Sequence, residues 1–146
     1  MMSNNFNGIN FEYFIEKIIQ KYNYDYIPKN QFFKVYQTVN KPCFTKQIVI
    51  GESIYHTKRI ADFLLYHPKK HKEPIVIEVK WQQSKGSVDE KFPFLIENIK
   101  KNKYKTIIII DGNGYKTSAL NWLKEKNKHT YSLNDFIKMN NQNKLL

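Results

Sequence analysis

Ile75-Val-Ile-Glu-Val-Lys-Trp81 decides the reading of this chain. Its β-branched residues make it a strand, and side chains alternate across a strand. Ile75, Ile77 and Val79 therefore point into a core, while Glu78 and Lys80 project together on the opposite face, an acid beside a base. Upstream, Arg59-Ile-Ala-Asp62-Phe-Leu-Leu-Tyr66 has the same strand character, with a lone Asp62 inside it. If the two strands are neighbours, Asp62, Glu78 and Lys80 meet at one point.

Such a point suits phosphodiester hydrolysis. A hard divalent cation such as Mg²⁺ prefers oxygen ligands, and two carboxylates leave most of its coordination positions to water and phosphate oxygens. The cation activates a water and offsets charge at phosphorus, while an ammonium close to the second carboxylate holds the attacking water and adds positive charge where negative charge develops. Spacing alone does not carry this reading. With 13 acidic and 24 basic residues in 146 positions, about two acid-x-base triplets arise by chance. The chain has two acid-x-Lys triplets, Glu78-Val-Lys80 and Asp89-Glu-Lys91. Context separates them: the first closes an apolar strand, whereas the second follows Gly86-Ser-Val and opens a helical pattern, where acids favour helix initiation. For Glu78 and Lys80 the alternative is an ordinary strand end with a solvated ion pair, and Asp62 weighs against it.

Working outward, a loop rich in Pro68, lysine and Pro74 joins the two strands. Lys69, Lys70, His71 and Lys72 lie in it, either as DNA contacts or as a solvated hairpin tip. Gln82 falls on the face of Glu78 and Lys80 if the strand continues. It is placed to orient a metal-bound water or touch DNA, or it is a polar strand end. The following Gln83 to Ser87 loop, with Lys85, is a candidate groove reader, since amides pair with base edges. Phe92, Leu95, Ile96 and Ile99 mark a helix over about 89–101, with Pro93 in its first turn, where the missing N–H costs nothing. Thr106-Ile-Ile-Ile-Ile110 is apolar on both faces, as in a central strand covered by helices. Asp111-Gly-Asn-Gly114 reads as a turn. A helix over 117–126, a short strand at 131–133 and a helix over 134–139 close the order.

On the N-terminal side, Phe11, Phe14, Ile15, Ile18, Ile19 and Tyr22 recur at helical spacing and predict a helix over 10–22. Its polar face carries Glu12 and Glu16, either as surface acids or with one reaching the metal site. Alternating apolar and aromatic residues predict a strand over 31–39, and 47–50 another before a turn at Gly51. The resulting fold class is α/β, a mixed central sheet flanked by helices, in a single domain spanning 1–146.

Composition narrows the partners. A net charge of +11 and a pI near 9.6 favour polyanions, although abundant Lys, Asn, Ile and Tyr is also what an AT-rich coding sequence yields. The lone Cys43 rules out an intramolecular disulfide and a multi-cysteine zinc site and fits a reducing compartment. His56, His67, His71 and His129 form no metal-ligand pattern. No apolar run approaches the ~18 residues of a spanning helix, and Met1-Met-Ser-Asn-Asn5 lacks a secretory signal. The expectation is a soluble cytoplasmic protein with no membrane or protein partner implied.

A helix, strands bearing Asp62 and Glu78-Val-Lys80, then a helix and a parallel strand resemble the core of the PD-(D/E)XK nuclease superfamily. Glu78-Val-Lys-Trp-Gln-Gln83 with Gly86-Ser-Val-Asp-Glu-Lys-Phe-Pro93 behind it resembles the restriction-endonuclease-like branch. The likeness spans roughly 58–123. It departs in one place, Ala61 standing where the motif has proline; that residue shapes the strand and supplies no ligand. The resemblance implies a restriction-endonuclease-like core with Asp62, Glu78 and Lys80 catalytic. Asp62 and Glu78 would hold Mg²⁺ with the Val79 carbonyl, Glu12 is the candidate further carboxylate with Glu16 behind it, and Mn²⁺ is able to substitute. Gln82, Gln83, Lys85, Lys69 and Lys70 are the expected DNA contacts. The function it points to first is a type II restriction endonuclease acting as a homodimer. Homing endonucleases, Holliday-junction resolvases and repair nucleases share the same three residues, and a non-catalytic DNA-binding protein or a small interaction protein is the reading from other classes.

Overall fold

The computed structural model describes residues 8–82 and 89–146. Its described elements run α1 (Gly8–Lys21), β1 (Asp25–Tyr26), α2 (Lys29–Val39), β2 (Cys43–Glu52), β3 (Lys58–Tyr66), β4 (Ile75–Trp81), a 3₁₀ turn at Asp89–Lys91, α3 (Phe92–Asn102), β5 (Thr106–Asp111), α4 (Thr117–Lys126), β6 (Thr130–Tyr131) and α5 (Leu133–Asn141). The strands form one six-stranded sheet in the order β1-β2-β3-β4-β5-β6. β2, β3 and β4 pair antiparallel, whereas β1 with β2, β4 with β5 and β5 with β6 pair parallel. This is the mixed α/β arrangement that the order of elements predicts.

Strand alternation divides the core between the two faces of the sheet. On one face, Phe63, Leu65, Ile75, Ile77, Ile107 and Ile109 pack against Phe11, Ile15 and Ile19 of α1 and Phe136 of α5. On the other, Phe32 of α2 covers Ala61, Leu64 and Val76, and Phe92, Leu95 and Ile96 of α3 with Leu123 of α4 cover Ile108 and Ile110. Each fully buried Phe, Leu or Ile side chain contributes about 1.5–3 kcal/mol relative to exposure. β4 and β5, covered on both sides, therefore form the firmest part of the sheet, and Ile107 to Ile110 are at most 4% exposed. No described helix is long and apolar enough to cross a membrane.

Two expectations for the N-terminal half are corrected. Residues 31–39 form helix α2 and not a strand. Their aromatic and β-branched composition favours a strand, but Phe32, Val35, Tyr36 and Val39 also satisfy the i, i+3, i+4, i+7 pattern of a helix face. Phe32 is buried and stacks on Tyr36 one turn later, with ring centroids 5.4 Å apart. The strand foreseen at 47–50 is the middle of the longer β2, and the chain reverses at 53–57 instead of at Gly51. Gly51 sits inside β2 beside a shift in register, at φ 151°. A Cβ there would lie 2.2 Å from the Asn102 side-chain oxygen.

Candidate active site

The site begins where the β3–β4 ladder stops. Leu65, Leu64 and Phe63 pair with Ile75, Val76 and Ile77, and no further pair forms. Amides alternate along a strand: the Val76 N–H donates toward β5, to the Lys105 carbonyl at 2.9 Å, so that of Val79 faces β3. In a continued ladder it would meet a backbone carbonyl. Here it donates to Asp62 Oδ2 at 2.8 Å. A side-chain carboxylate has taken over a ladder bond, which fixes Asp62 at the mouth of the opening between the strands. Because a strand residue presents its N–H and C=O on the same side, the Val79 carbonyl also faces this gap.

Glu78 and Lys80 follow on β4, and both join Asp62 in lining a cavity of about 370 Å³. Glu78 is 2% exposed. Burial first, then the neighbouring Asp62 carboxylate, push it up to about 7, against the pull of Arg59 and Lys80. Among the described residues the Lys80 ammonium has no hydrogen bond or ion pair. It stands half-buried at the edge of the cavity, electrostatically close to Glu78 and Glu12.

Two further residues, neither part of a sequence motif, shape the site. Arg59 of β3 is the only arginine among 24 basic residues. It is 8% exposed, and its Nη2 lies 2.6 Å from Glu78 Oε1, which has no other partner among the described residues. Nη1 donates to the Ile60 carbonyl at 2.9 Å, and Nε has no hydrogen-bond partner among the described residues. A single arginine in a lysine-rich chain was the available signal, since guanidinium is the cation better suited to buried carboxylate pairing. Gln47 of β2 is the other. It adopts φ 53°, uncommon for a residue other than glycine, where the β2–β3 register skips the pairing of 47 with 62. Its amide donates to Glu12 Oε1 at 2.6 Å and reaches Asp62 Oδ1 at 3.5 Å.

Gln47 thus ties α1 to the site and separates the two candidate helix acids. Glu12 is raised above its ordinary range by burial and then by Asp62. Glu16 faces Lys46, paired at 2.9 Å. The contact of Phe11 with Trp81, ring centroids 5.4 Å apart, anchors this end of α1 to the end of β4.

The remaining candidates lie elsewhere or outside the described residues. Gln82 is 6% exposed, and its side-chain amide donates to the Gly114 carbonyl at 3.0 Å. Its backbone bonds to Asp111 and Gly114, so the geometry gives it the work of holding the 111–114 turn against β4. Gln83 and Lys85 fall outside the described residues. Lys69 and Lys70 occupy the loop preceding Ile75. Three residues of strand, about 10 Å, separate Ile75 from Glu78, so this loop lies at the opposite end of β4. The Lys70 ammonium donates to the Leu146 backbone oxygen.

A model of the PD-(D/E)XK nuclease superfamily domain matches residues 4–144. The chain belongs to the PD-(D/E)XK nuclease superfamily. Searches of curated proteins and of solved structures return no match. Membership implies nuclease activity on a nucleic acid, and nucleases of this superfamily are generally dependent on a divalent metal. The residues present fit such an ion. No three His, Cys, Asp or Glu side chains among the described residues form a metal cage. The candidate donors are instead Asp62, Glu78 and the Val79 carbonyl, all oxygen, with the buried Glu78 Oε1 engaged among the described residues only by the Arg59 charge. Mg²⁺ sites in general use one or two carboxylates, with water and substrate phosphate completing the octahedron.

Proposed function

We propose that this PD-(D/E)XK protein is a Mg²⁺-dependent DNA endonuclease, with Mn²⁺ able to substitute, that cleaves by direct attack of water on phosphorus. The observation that carries the reading is the opening of the β3–β4 ladder, which gathers Asp62, Glu78 and the Lys80 ammonium around one cavity. Asp62 and Glu78 would hold the metal with the Val79 carbonyl, and Glu12 would act on Asp62 through Gln47. When bound, the ion polarises the phosphate and lowers the pKa of a bound water. Lys80 positions the attacking water and stabilises the charge that develops on phosphate oxygen. Arg59 keeps Glu78 in place and contributes a second fixed positive charge beside the cut.

A type II restriction enzyme acting as a two-fold homodimer is the role we favour. One such site cuts one strand, and a two-fold axis supplies the second site for the other strand. Homing, junction-resolving and repair nucleases are the alternatives. Incubation of the purified protein with plasmid and phage DNA, with and without Mg²⁺, separates them, with Asp62→Ala and Lys80→Ala as controls. Discrete metal-dependent fragments support restriction or homing, and selective cutting of branched DNA supports a resolvase. Failure to cut any nucleic acid with any metal removes the enzyme reading. Undiminished cutting by the two variants moves the site elsewhere.

A further inference from the structure

We propose that the ring pair Tyr55–Phe94 beside the cavity is a nucleobase-stacking subsite, so that the protein holds a nucleotide next to the cut bond with its base unstacked from its neighbours. The proposal deepens the nuclease reading and rests on that alone and not on the restriction role, since a preference for unpaired bases points to a flap- or junction-cutting nuclease.

Phe94 of α3 lines the same cavity as Asp62, Glu78 and Lys80. Tyr55, at the tip of the β2–β3 turn, stacks on it with ring centroids 5.0 Å apart and planes inclined by 27°. Yet Tyr55 is 72% exposed, the most open of the large apolar side chains among the described residues. The pair therefore makes a shelf that runs from the cavity to solvent, with one broad ring face uncovered. An exposed tyrosine on a loose loop would mean little, but this turn is built to hold it. Ser53, 3% exposed, accepts through Oγ from the Tyr55 and Thr57 amides and bonds the Thr57 hydroxyl at 2.7 Å. The Ser53 amide donates to the Thr57 carbonyl at 2.8 Å. From α3, buried Asn98 accepts from the Ile54 amide at 2.8 Å and Lys101 donates to the Ser53 carbonyl at 2.9 Å. The turn is thus fastened on both sides of Tyr55, and none of these bonds uses the tyrosine ring.

The chemistry next to the shelf selects the ligand. Lys58 and Lys91 line the cavity around Phe94. An aromatic face flanked by lysines matches a nucleotide, whose base stacks on the ring while its phosphates meet the cations, and such stacking tolerates any base. Bases inside an intact duplex have both faces covered. A duplex must first extrude a base to use the shelf, whereas a single strand or flap offers one already unpaired.

The test uses the full-length protein in EDTA, so that binding is read without cleavage. Oligonucleotides of one sequence are prepared as blunt duplex, single strand and duplex with a single-stranded flap, with 2-aminopurine at the junction or its equivalent position. Wild type should bind single strand and flap more tightly than duplex and quench 2-aminopurine only in those two. Tyr55→Ala should weaken them by roughly 5- to 150-fold, the range of one base–aromatic stack, and leave duplex binding within about twofold. Tyr55→Trp should restore affinity, and Tyr55→Leu, which keeps apolar contact with Phe94 but has no π face, should not. Unchanged affinity in Tyr55→Ala, rescue by Tyr55→Leu, or equal binding of all three forms by wild type overturns the subsite. A wild type that cuts nothing with any metal defeats the nuclease reading instead, a separate result because the binding series contains no metal.

Discussion

Replacing Arg59 by methionine should produce a loss of stability that depends steeply on pH, and its size follows from the state of Glu78. Methionine keeps the buried stem of the side chain and removes the charge. The carboxylate it leaves, 2% exposed, then has no counter-ion at hydrogen-bonding distance and takes up a proton instead of remaining charged. In the wild type Glu78 sits at about 7, so at pH 6 it is largely protonated with or without Arg59, and the variant should lose under about 0.5 kcal/mol from this source. Above pH 7 the wild-type carboxylate ionises against Arg59 while the variant's stays neutral. The gap then widens by about 1.4 kcal/mol per pH unit, reaching about 3 kcal/mol at pH 9, at the low end of the range for a broken buried ion pair. For a chain of this length that corresponds to a fall in Tm of roughly 6–12 °C. Urea unfolding of both proteins at pH 6, 7.5 and 9 reads the difference, in which titrations far from the site cancel. The double variant Arg59→Met with Glu78→Gln should be level against Glu78→Gln alone across the series. A loss of several kcal/mol already at pH 6, or a difference independent of pH, would refute the reasoning by showing that Arg59 acts through packing and not through the ionisation of Glu78.

The same carboxyl group sets the wild-type pH profile. A carboxyl raised from 4.5 to about 7 binds more protons folded than unfolded, so its contribution is greatest below pH 4.5 and is lost as pH rises through 7. That amounts to at most about 3 kcal/mol, and Glu78→Gln should lack this component of the slope. If Glu78 is a metal ligand, calorimetric affinity for Mg²⁺ or Mn²⁺ should climb with pH up to about 7 and then level off, with proton release visible as a buffer-dependent enthalpy; binding with no proton release rules Glu78 out. At Gln47, held at φ 53°, glycine should recover up to about 1 kcal/mol of backbone strain that alanine retains. Both variants break the link between Glu12 and Asp62, so both should lower kcat; full activity in Gln47→Gly would show the link to be dispensable.

The strands that build the site were legible because each carries two signals that agree. In β4, β-branched composition and alternation together put Glu78 and Lys80 on one face, and in β5 an unbroken apolar run matches burial on both sides. Where signals conflicted, composition misled: α2 has the residues of a strand and the spacing of a helix, and the packing of Phe32 and Tyr36 decided for spacing. Arg59 could not be assigned from one strand, because only the pairing of β3 with β4 and the reach of its side chain bring it to Glu78. Gln47 was hidden for a different reason, since a left-handed backbone inside a strand leaves no mark in the sequence when the residue is not glycine. Gln82 obeys the alternation, but the end of β4 is captured by the 111–114 turn, and long-range hydrogen bonds of that kind do not follow from period two.

Lysine abundance is ambiguous in the sequence between a polyanion-binding surface and base composition, and in the folded chain the cavity supplies a local excess. Most lysines are exposed and scattered, as composition alone would leave them. At the cavity, among the described residues, Lys58, Arg59, Lys80 and Lys91 face Asp62 and Glu78, with Arg59 buried, Lys80 half-buried and the other two lysines at the exposed rim. A divalent cation on those two carboxylates would raise the positive excess further, and in a partly buried cleft such an excess is poorly screened. The deficit is one of anions, and a phosphodiester backbone supplies them at regular intervals. Arg59 offers a way for the cleft to tolerate this charge without substrate, since it pairs one cation with one anion, Glu78, at 2.6 Å, and the proposed phosphate and metal would compete for the two partners. The cost of an otherwise uncompensated buried charge is thereby deferred to the moment of binding. For that reason the single arginine, alongside the proposed role of Lys80, and not the larger number of surface lysines, would carry the charge balance of the site.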